Sequence, residues 1–506
     1  MKKSKLLLAS LALVGCLAGC GIGEPSSSEQ RPESSSKPQT SEQAPASSEQ
    51  VPASSEEPSV PSEEVSQGVG EGKILVGNAA ATSGAFATVG GPFNAGLQAA
   101  FKAYNDKGGF GEEGLKIELK HYDDGFNGAT GATYTEKLIE EDEVFALVGH
   151  FGTPTVEATL DMIKDKGIPM VYAATGVSGL FNEQAEGTER AVMSVQPIYD
   201  AEGQVLLARA VAPTEGNLGL GGKKIGVIST TDDAGKGMLN GIKLEAKKLG
   251  VTDITYVTTA ATTGTNHATA VSVLKNAGCD VVIIAANQAP FAEIMSYFNT
   301  GGYDNVKVIT SYVSANADMA DALIKAGAVT ETREAYATAW LDIADTYVYA
   351  PDASNVIGSS LWAGYKMYDD TLGLPTYYDA GVPGFSQEYW AVAEEIFAWG
   401  LENDPNQAWA LSFNSYALAG YIAGHMFIEG LDRVEEAGKV LNWTNYIDAM
   451  ESAPYDFPMG GAIELANGAR YGIQDLALNK LTKNVLGAGA LEVYSGITPL
   501  KTVEGK

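Results

Sequence analysis

The sequence predicts an α/β fold of two doubly wound, Rossmann-like lobes joined by a hinge and preceded by a disordered tether. Three observations predict it. Between residues 73 and 173, short apolar runs alternate with segments of helical period, the pattern of a parallel sheet covered on both faces. The same alternation recurs between residues 223 and 311. In both stretches the strands read as near-continuous apolar runs, such as "VFALVG" and "DVVIIAA", as strands buried on two faces do.

In the first stretch the strand "KILVGNAA" (73–80) precedes a helix over 92–104. Phe93, Leu97, Phe101 and Tyr104 fall on one stripe of that helix, and Pro92 suits its first turn. Strand 115–122, helix 129–140, strand 144–149, helix 155–165 and strand 168–173 follow. In the second stretch, strand 223–229 leads into helix 235–248, closed by Gly250 just past its end. Strand 253–258, helix 266–277, strand 280–286, helix 289–299 and strand 306–311 complete it. The two lobes join near "SVQPIYDAEG" (194–203). Ligands of open α/β sheets sit beyond the carboxyl ends of the strands, so the cleft between the lobes is the expected site.

The fourth strand, "IPMVYAATG" (168–176), starts with bulky apolar residues and ends in Ala173, Ala174, Thr175 and Gly176. Small residues at a carboxyl end let a ligand reach backbone groups, and Thr175 adds a hydroxyl that donates and accepts. A tight βα turn calls for small residues as well.

The amino terminus has a separate character. "MKKSK" is a basic segment, and the apolar run after it is short for a membrane span. It closes in two small-residue boxes, "LVGC" and "LAGC", which resemble the bacterial lipobox. Cys20 leaves the longer apolar run and is the expected lipidation site, with Cys16 cut away. A diacylglyceryl cysteine carries two acyl chains, enough for stable anchoring on the extracytoplasmic face of the cell membrane. Residues 21–72 are Ser, Pro, Glu and Gln with little to bury, and read as an extended, disordered spacer.

Net charge is −30, from 33 basic and 63 acidic residues. That balance excludes a nucleic-acid partner, which needs clustered Lys and Arg. Cys279 lies in an apolar context and reads as a small buried hydrophobe, so no disulfide is expected. His121, His150, His267 and His425 are scattered, without zinc-ligand spacing. "GFGEEG" (109–114) matches a dinucleotide-binding fingerprint, but it precedes a strand and its glutamates would repel pyrophosphate. The pairs Asp123–Asp124 and Asp232–Asp233 follow strands; neighbours in extended chain diverge, which argues against a carboxylate dyad. No enzyme, metal or cofactor is expected.

Several segments resemble a known family. "ATSGAFATVGGPFNAGLQAAFKAYND", "LVGHFGTPTVEATLDMIKDKGIPMVYAATG" and "GGAIELANGARYGIQDLALNKL" are similar to branched-chain amino-acid-type (Leu/Ile/Val-binding) substrate-binding lipoproteins of ABC importers. The resemblance covers most of 73–345 and 410–481 and implies a type I periplasmic binding protein fold. It implies lobe one at 73–196 plus 342–455 and lobe two at 197–341 plus 456–506. It implies that Thr153, Ala173, Ala174 and Thr175 hold a ligand carboxylate. Elsewhere the chain departs from the pattern. Val89, Ala234 and the pair Asn287–Gln288 stand where the family has Tyr, and Tyr312 stands where it has an ammonium-pairing Glu. Either Asp232 or Asp233 substitutes, or the ligand is not an α-amino acid. Asn287 and Gln288 would suit an amide or hydroxylated group.

The implied function is capture of a small polar carboxylate, foremost an amino acid or a similar compound, for delivery to an ABC permease and its ATPase. A ligand-sensing module and an amide- or urea-binding protein are the alternatives. The protein is expected to be a monomer. The match thins over 346–409, where Trp362, Tyr365, Met367 and Tyr368 repeat at helical spacing and suggest extra core, a lid or a docking patch.

Overall fold

The computed structural model of the chain describes residues 64–341, 387–412, 414–483 and 489–506. Cys20, most of the tether and the aromatic stretch from Trp362 to Tyr368 lie outside the described residues. Among the described residues, no helix is long and apolar enough to cross a membrane.

The first sheet holds β1 (Val69–Gly70), β2 (Lys73–Ala80), β3 (Lys116–Asp123), β4 (Ala146–Val148), β5 (Met170–Ala173) and β6 (Val192–Ser194). Strands β3, β2, β4, β5 and β6 run parallel in that order, and β1 pairs antiparallel with β2. The connecting helices are α1 (Ala87–Lys107), α2 (Gly128–Glu140) and α3 (Thr153–Lys166). Apolar side chains along the strands are wholly buried, including Ile74, Val76, Leu147 and Val171.

The second sheet follows α4 (Tyr199–Val211). It contains β7 (Ile225–Thr230), β8 (Ile254–Thr259), β9 (Val281–Ala285), β10 (Lys307–Thr310) and β11 (Ala335–Ala339). These five are parallel in the order β8-β7-β9-β10-β11, linked by α5 (Asp233–Leu249), α6 (Ala268–Ala277), α7 (Gln288–Thr300) and α8 (Ala317–Lys325). After the short pair β12 (Tyr455–Asp456) and β13 (Ala462–Ile463), two antiparallel strands extend this sheet beyond β11: β14 (Leu476–Lys483) and β15 (Gly489–Thr498). In each sheet the strand order reverses once, beside β2 and beside β7, and a crevice opens at such a reversal.

Every strand and helix expected between 115 and 311 is present, with ends shifted by a few residues. Two starts differ. Helix α1 begins at Ala87, so Pro92 lies inside it and not in its first turn. Thr88, Val89, Gly90 and Gly91 are weak helix formers, which hides this first turn, and Gly90 lets it approach the Ala81 carbonyl, 2.1 Å from where a Cβ would stand. Paired chain is also present before Lys73. Val69 pairs with Ile74, Ser66 N–H donates to the Leu441 carbonyl, and Gln67 donates to the carbonyls of Ile139 and Val144. A polar composition hid these backbone pairings, which need no apolar side chain.

The helix Ser415–Glu436 returns to the first sheet and lies along α1. Glycines set the closeness of that contact. A Cβ on Gly96 would stand 1.8 Å from the Ala417 carbonyl, and one on Gly420 1.8 Å from the Phe93 carbonyl. The chain then stays beside the first sheet as far as Ile473. Arg470, 1% exposed, donates to the carbonyls of Val192 and Arg190, and Ile473 N–H donates to the Val195 carbonyl. It joins the second sheet at β14.

Candidate functional site

The carboxyl ends of both sheets open on one cavity of about 70 Å³. At roughly 10–15 Å³ per water on the same measure, that is room for about five waters, hence for one small solute and not a peptide.

The first-sheet wall begins where β4 runs into α3. Gly152 caps that helix with φ 95°, and the Phe126 ring lies 2.9 Å from where its Cβ would be, so only glycine fits. The helix N-terminus, with Gly152 and Thr153, faces the cavity. The partial positive charge of a helix N-terminus favours an anion there. The Thr153 hydroxyl lies 3.0 Å from the Thr175 hydroxyl and 3.3 Å from that of Tyr199, and Thr175 and Tyr199 are 3.4 Å apart. All three residues are buried, which raises the Tyr199 phenol above its ordinary pKa. Just ahead, wholly buried His150 accepts at Nδ1 from the Ala79 N–H, and its Nε2 meets the hydroxyls of Thr135 and Thr159. Burial pushes it down to about 4, so it is a neutral packing group.

The small end of β5 differs from its expected role. Ala173 is fully buried in the strand and does not reach the cavity; Ala174 does. The backbone of Ala174 is already used: its N–H donates to the His150 carbonyl and its carbonyl accepts from Gly152 N–H. What faces a solute here is the Ala174 methyl and the hydroxyls around Thr153. The strand contains a bulge at Tyr172, with φ 57° and a register shift against β6. The Tyr172 hydroxyl accepts from Gln196 Nε2 at 3.1 Å, and Gln196 Oε1 accepts from the Tyr312 hydroxyl at 3.2 Å. One amide thus links the two sheets at the crossing between them.

The second-sheet wall comes from the ends of β9, β10 and β11. Asn287 caps α7, lines the cavity with Gln288, and donates from Nδ2 to Asp232 at 3.1 Å. Tyr312 and Val313 follow β10; Trp340 and Leu341 follow β11. From the helix that lies along α1, the Tyr416 hydroxyl donates to the Val313 carbonyl at 2.9 Å and accepts from Asn316 at 2.6 Å. Rings of Phe86 and Phe126, stacked with centroids 3.7 Å apart, close the first-sheet side.

The acidic residues stand elsewhere. Asp232 caps α5 through Gly235 N–H and receives Asn287, and Asp233 pairs with Lys236. Asp123 accepts from the N–H groups of Thr82 and Ser83, whereas buried Asp124 accepts from Thr155 and Phe126, so that pair does diverge. Near the start of α3, Asp233 pushes the Glu157 carboxyl up to about 7, with burial adding to it. Among the described residues, no Asp, Glu, Lys or Arg lines the cavity, and no group of three or more His, Cys, Asp or Glu could hold a metal ion.

Of the six ligand-binding residues expected from sequence, Thr153, Ala174, Asn287 and Tyr312 line the cavity. Thr175 stands behind Thr153, and Ala173 is inside the strand. Sequence reasoning missed Phe86, Phe126, Gln196, Tyr199, Trp340 and Tyr416. Gln196 and Tyr199 sit in the recognised joint at 194–203, so a signal was present. The others come from a loop or from chain far away in sequence.

The sequence pattern of the periplasmic binding protein family matches residues 73–348, more than half of the chain. The chain belongs to that family. A protein described as an amino acid binding protein, from Pseudomonas aeruginosa, is 24% identical over 191 residues, 36% of this chain. The match spans 46% of that relative, about half its length. Solved structures share the fold at low identity. A fatty acid ABC transporter substrate-binding protein from Thermomonospora curvata gives a TM-score of 0.63 at 16% identity, over 87% of this chain and 96% of that one. A branched-chain amino acid ABC transporter protein from Thermus thermophilus, with bound valine, gives 0.63 at 13%, over 87% and 100%. A solute binding protein from Rhodopseudomonas palustris, in complex with 3,4-dihydroxybenzoic acid, gives 0.60 at 16%, over 85% and 98%.

Proposed function

We propose that this protein is the extracytoplasmic solute-binding component of an ABC importer. It takes a small carboxylate whose remainder is apolar or aromatic and carries no free ammonium. The carrying observation is the cluster of Thr153, Thr175 and Tyr199 hydroxyls at the α3 N-terminus, beside a cavity lined by rings and amides without a charged side chain. Hydroxyls at a helix N-terminus suit a carboxylate. An ammonium buried opposite would lack an anionic partner, at a cost of several kcal/mol.

This narrows the expectation of an amino acid. The relatives' ligands include valine, but also an aromatic acid, and the ring-lined cavity of this chain favours the latter kind. Asn287 and Gln288 supply hydrogen-bonding groups for a ring substituent. Capture is by closure of two lobes built round the two sheets, with the chain passing between them near 197, after Leu341 and near Asp475. Closure creates the surface that a permease reads, and no bond is made or broken. The anchor is the lipid on Cys20, with the Ser- and Pro-rich segment as spacer.

The test is mass spectrometry of whatever co-purifies, followed by thermal shift with aromatic monocarboxylates, branched-chain amino acids and neutral amides. A bound solute raises the melting temperature by mass action. Stabilisation by aromatic carboxylates and not by their amides is expected; a response to amino acids alone would overturn the reading. For the anchor, Cys20→Ser is expected to abolish incorporation of a labelled lipid precursor, and labelling that persists through Cys16 would move the site.

A further inference from the structure

Glu202 is a carboxylate with no exposed surface, on the first turn of α4 immediately after the crossing between the sheets. Its partners are three donors from the ends of two strands. Oε1 accepts from the Tyr312 N–H at 2.8 Å and from the Thr338 hydroxyl; Oε2 accepts from the Ser311 hydroxyl at 2.8 Å. Ser311 and Tyr312 follow β10, and Thr338 stands near the end of β11, just before cavity-lining Ala339 and Trp340. Among the described residues no cation pairs with it. The ionisable groups that interact with it are Tyr199 on its own helix and Tyr312 after β10; beyond them, Asp232 ahead of α5 acts on Tyr199 and Tyr172 on β5 acts on Tyr312.

We propose that Glu202 is a positioning residue of the solute cleft: its carboxylate clamps the carboxyl ends of β10 and β11, and its charge sets how firmly Tyr312 and the wall after Thr338 are held. The proposal rests on the reading of the cavity as the solute site, and Glu202 itself touches no solute. All three partners donate, so the ionised form satisfies each of them. A protonated carboxyl must itself donate, to the hydroxyl oxygen of Thr338 or of Ser311; whichever accepts no longer donates back, and the Ser311 oxygen already receives the Val313 N–H at 3.3 Å. Neutral bonds are about half as strong as charge-assisted ones, so protonation loosens the clamp. Burial pushes the group up to about 7, against the three hydrogen bonds, which places the change within the neutral range.

Hydrogen exchange of the full chain, read by mass spectrometry on the peptide that contains Tyr312, tests this without a solute. Rates are normalised to the intrinsic rate at each pH. In the wild type, protection of this peptide should rise about five- to tenfold between pH 6 and pH 8. In Glu202→Gln, which keeps the shape without the charge, it should stay at the lower level throughout. Thr338→Val removes one donor to the carboxylate and should move the midpoint to higher pH. A wild-type profile that is flat, or that Glu202→Gln reproduces, overturns the proposal. Calorimetry with 3,4-dihydroxybenzoate and with valine at the two pH values separates the two readings. An intact exchange profile without carboxylate binding would count against the proposed solute and not against the clamp.

Discussion

The two walls of the cavity are built differently. The first-sheet wall is local: Gly152 and Thr153 are adjacent, and Thr175 lies just beyond the next strand, so a single βαβ unit places the polar groups. The second-sheet wall is assembled from the ends of three strands and from Tyr416 on a helix that belongs beside α1, while Tyr199, at the crossing, joins the hydroxyls of the first wall. A wall set by backbone geometry survives sequence drift at its neighbours. A wall made of side chains from distant segments is free to change its chemistry. On the proposed reading, the solute's carboxylate end would be fixed by the fold, and its other end by this chain's own choice of rings and amides.

The sharpest way to separate the walls is pH, because behind each stands a wholly buried group that titrates between pH 4 and 7, the two displaced in opposite senses. Glu202 has a folded pKa of about 7, raised from 4.5 by burial. A raised carboxyl binds its proton more tightly when folded, so its contribution to stability is complete below about 4.5 and lost as pH rises through 7. His150 has a folded pKa of about 4, lowered from 6.5 by burial. Its contribution is complete above 6.5 and lost as pH falls towards 4. Each is worth up to about 3 kcal/mol, since every tenfold change in proton affinity on folding is about 1.4 kcal/mol. In urea titrations, the stability of wild type relative to Glu202→Gln should fall by that amount between pH 4.5 and 8. A difference independent of pH would show that the second-sheet wall does not hide a titrating acid. The same charge that costs global stability strengthens the local bonds to Tyr312, so denaturation and exchange should move in opposite directions.

Binding gives the next effects. Thr153→Val removes the hydroxyl at the helix N-terminus and should weaken an aromatic carboxylate by about ten- to a hundredfold, the worth of a hydrogen bond to a charged group. Calorimetry against the matching amide checks it, since the amide should lose far less. Thr175→Val acts through Thr153 and Tyr199 and should cost about fivefold, more than Asn287→Ala, which costs about threefold. A larger loss at Asn287 would make the second wall the dominant one. The smallest effect is expected for Tyr416→Phe. It deletes the bonds to Val313 and Asn316, which join the helix beside α1 to the second sheet, and should weaken binding about twofold by making closure less favourable.

The two walls were also unequally legible. Hydrophobic period alone places the strands and helices read between 115 and 173 and between 223 and 311, because each must bury apolar residues against a neighbour; β6 and α4, between those stretches, were not read from it. Thr153 and Thr175 could be read from the positions they hold after β4 and β5. The start of α1 at Ala87 could not, since Thr88, Val89, Gly90 and Gly91 are weak helix formers and the close approach of Gly90 to the Ala81 carbonyl is a tertiary contact. Ala173 and Ala174 suggested open backbone, yet the Ala174 backbone is taken up by pairing with the segment around Phe151. Asp232 and Asp233 were the acids read as substitutes for the missing counter-charge, and capping took one while Lys236 took the other.

By itself, then, the sequence determined two parallel sheets, the crossing near 197 and a hydroxyl-bearing strand end at the cleft, because those follow from periodicity and from short-range connectivity. Only the tertiary structure decided that the opposite wall is uncharged, that Tyr199 completes the hydroxyl cluster, and that the acid behind Tyr312 is Glu202. The last of those facts depends on contacts between residues more than a hundred positions apart, Glu202 with Tyr312 and Thr338, and the second on Tyr199 meeting Thr153 from 46 positions away. No local pattern records which of many polar side chains will be buried together.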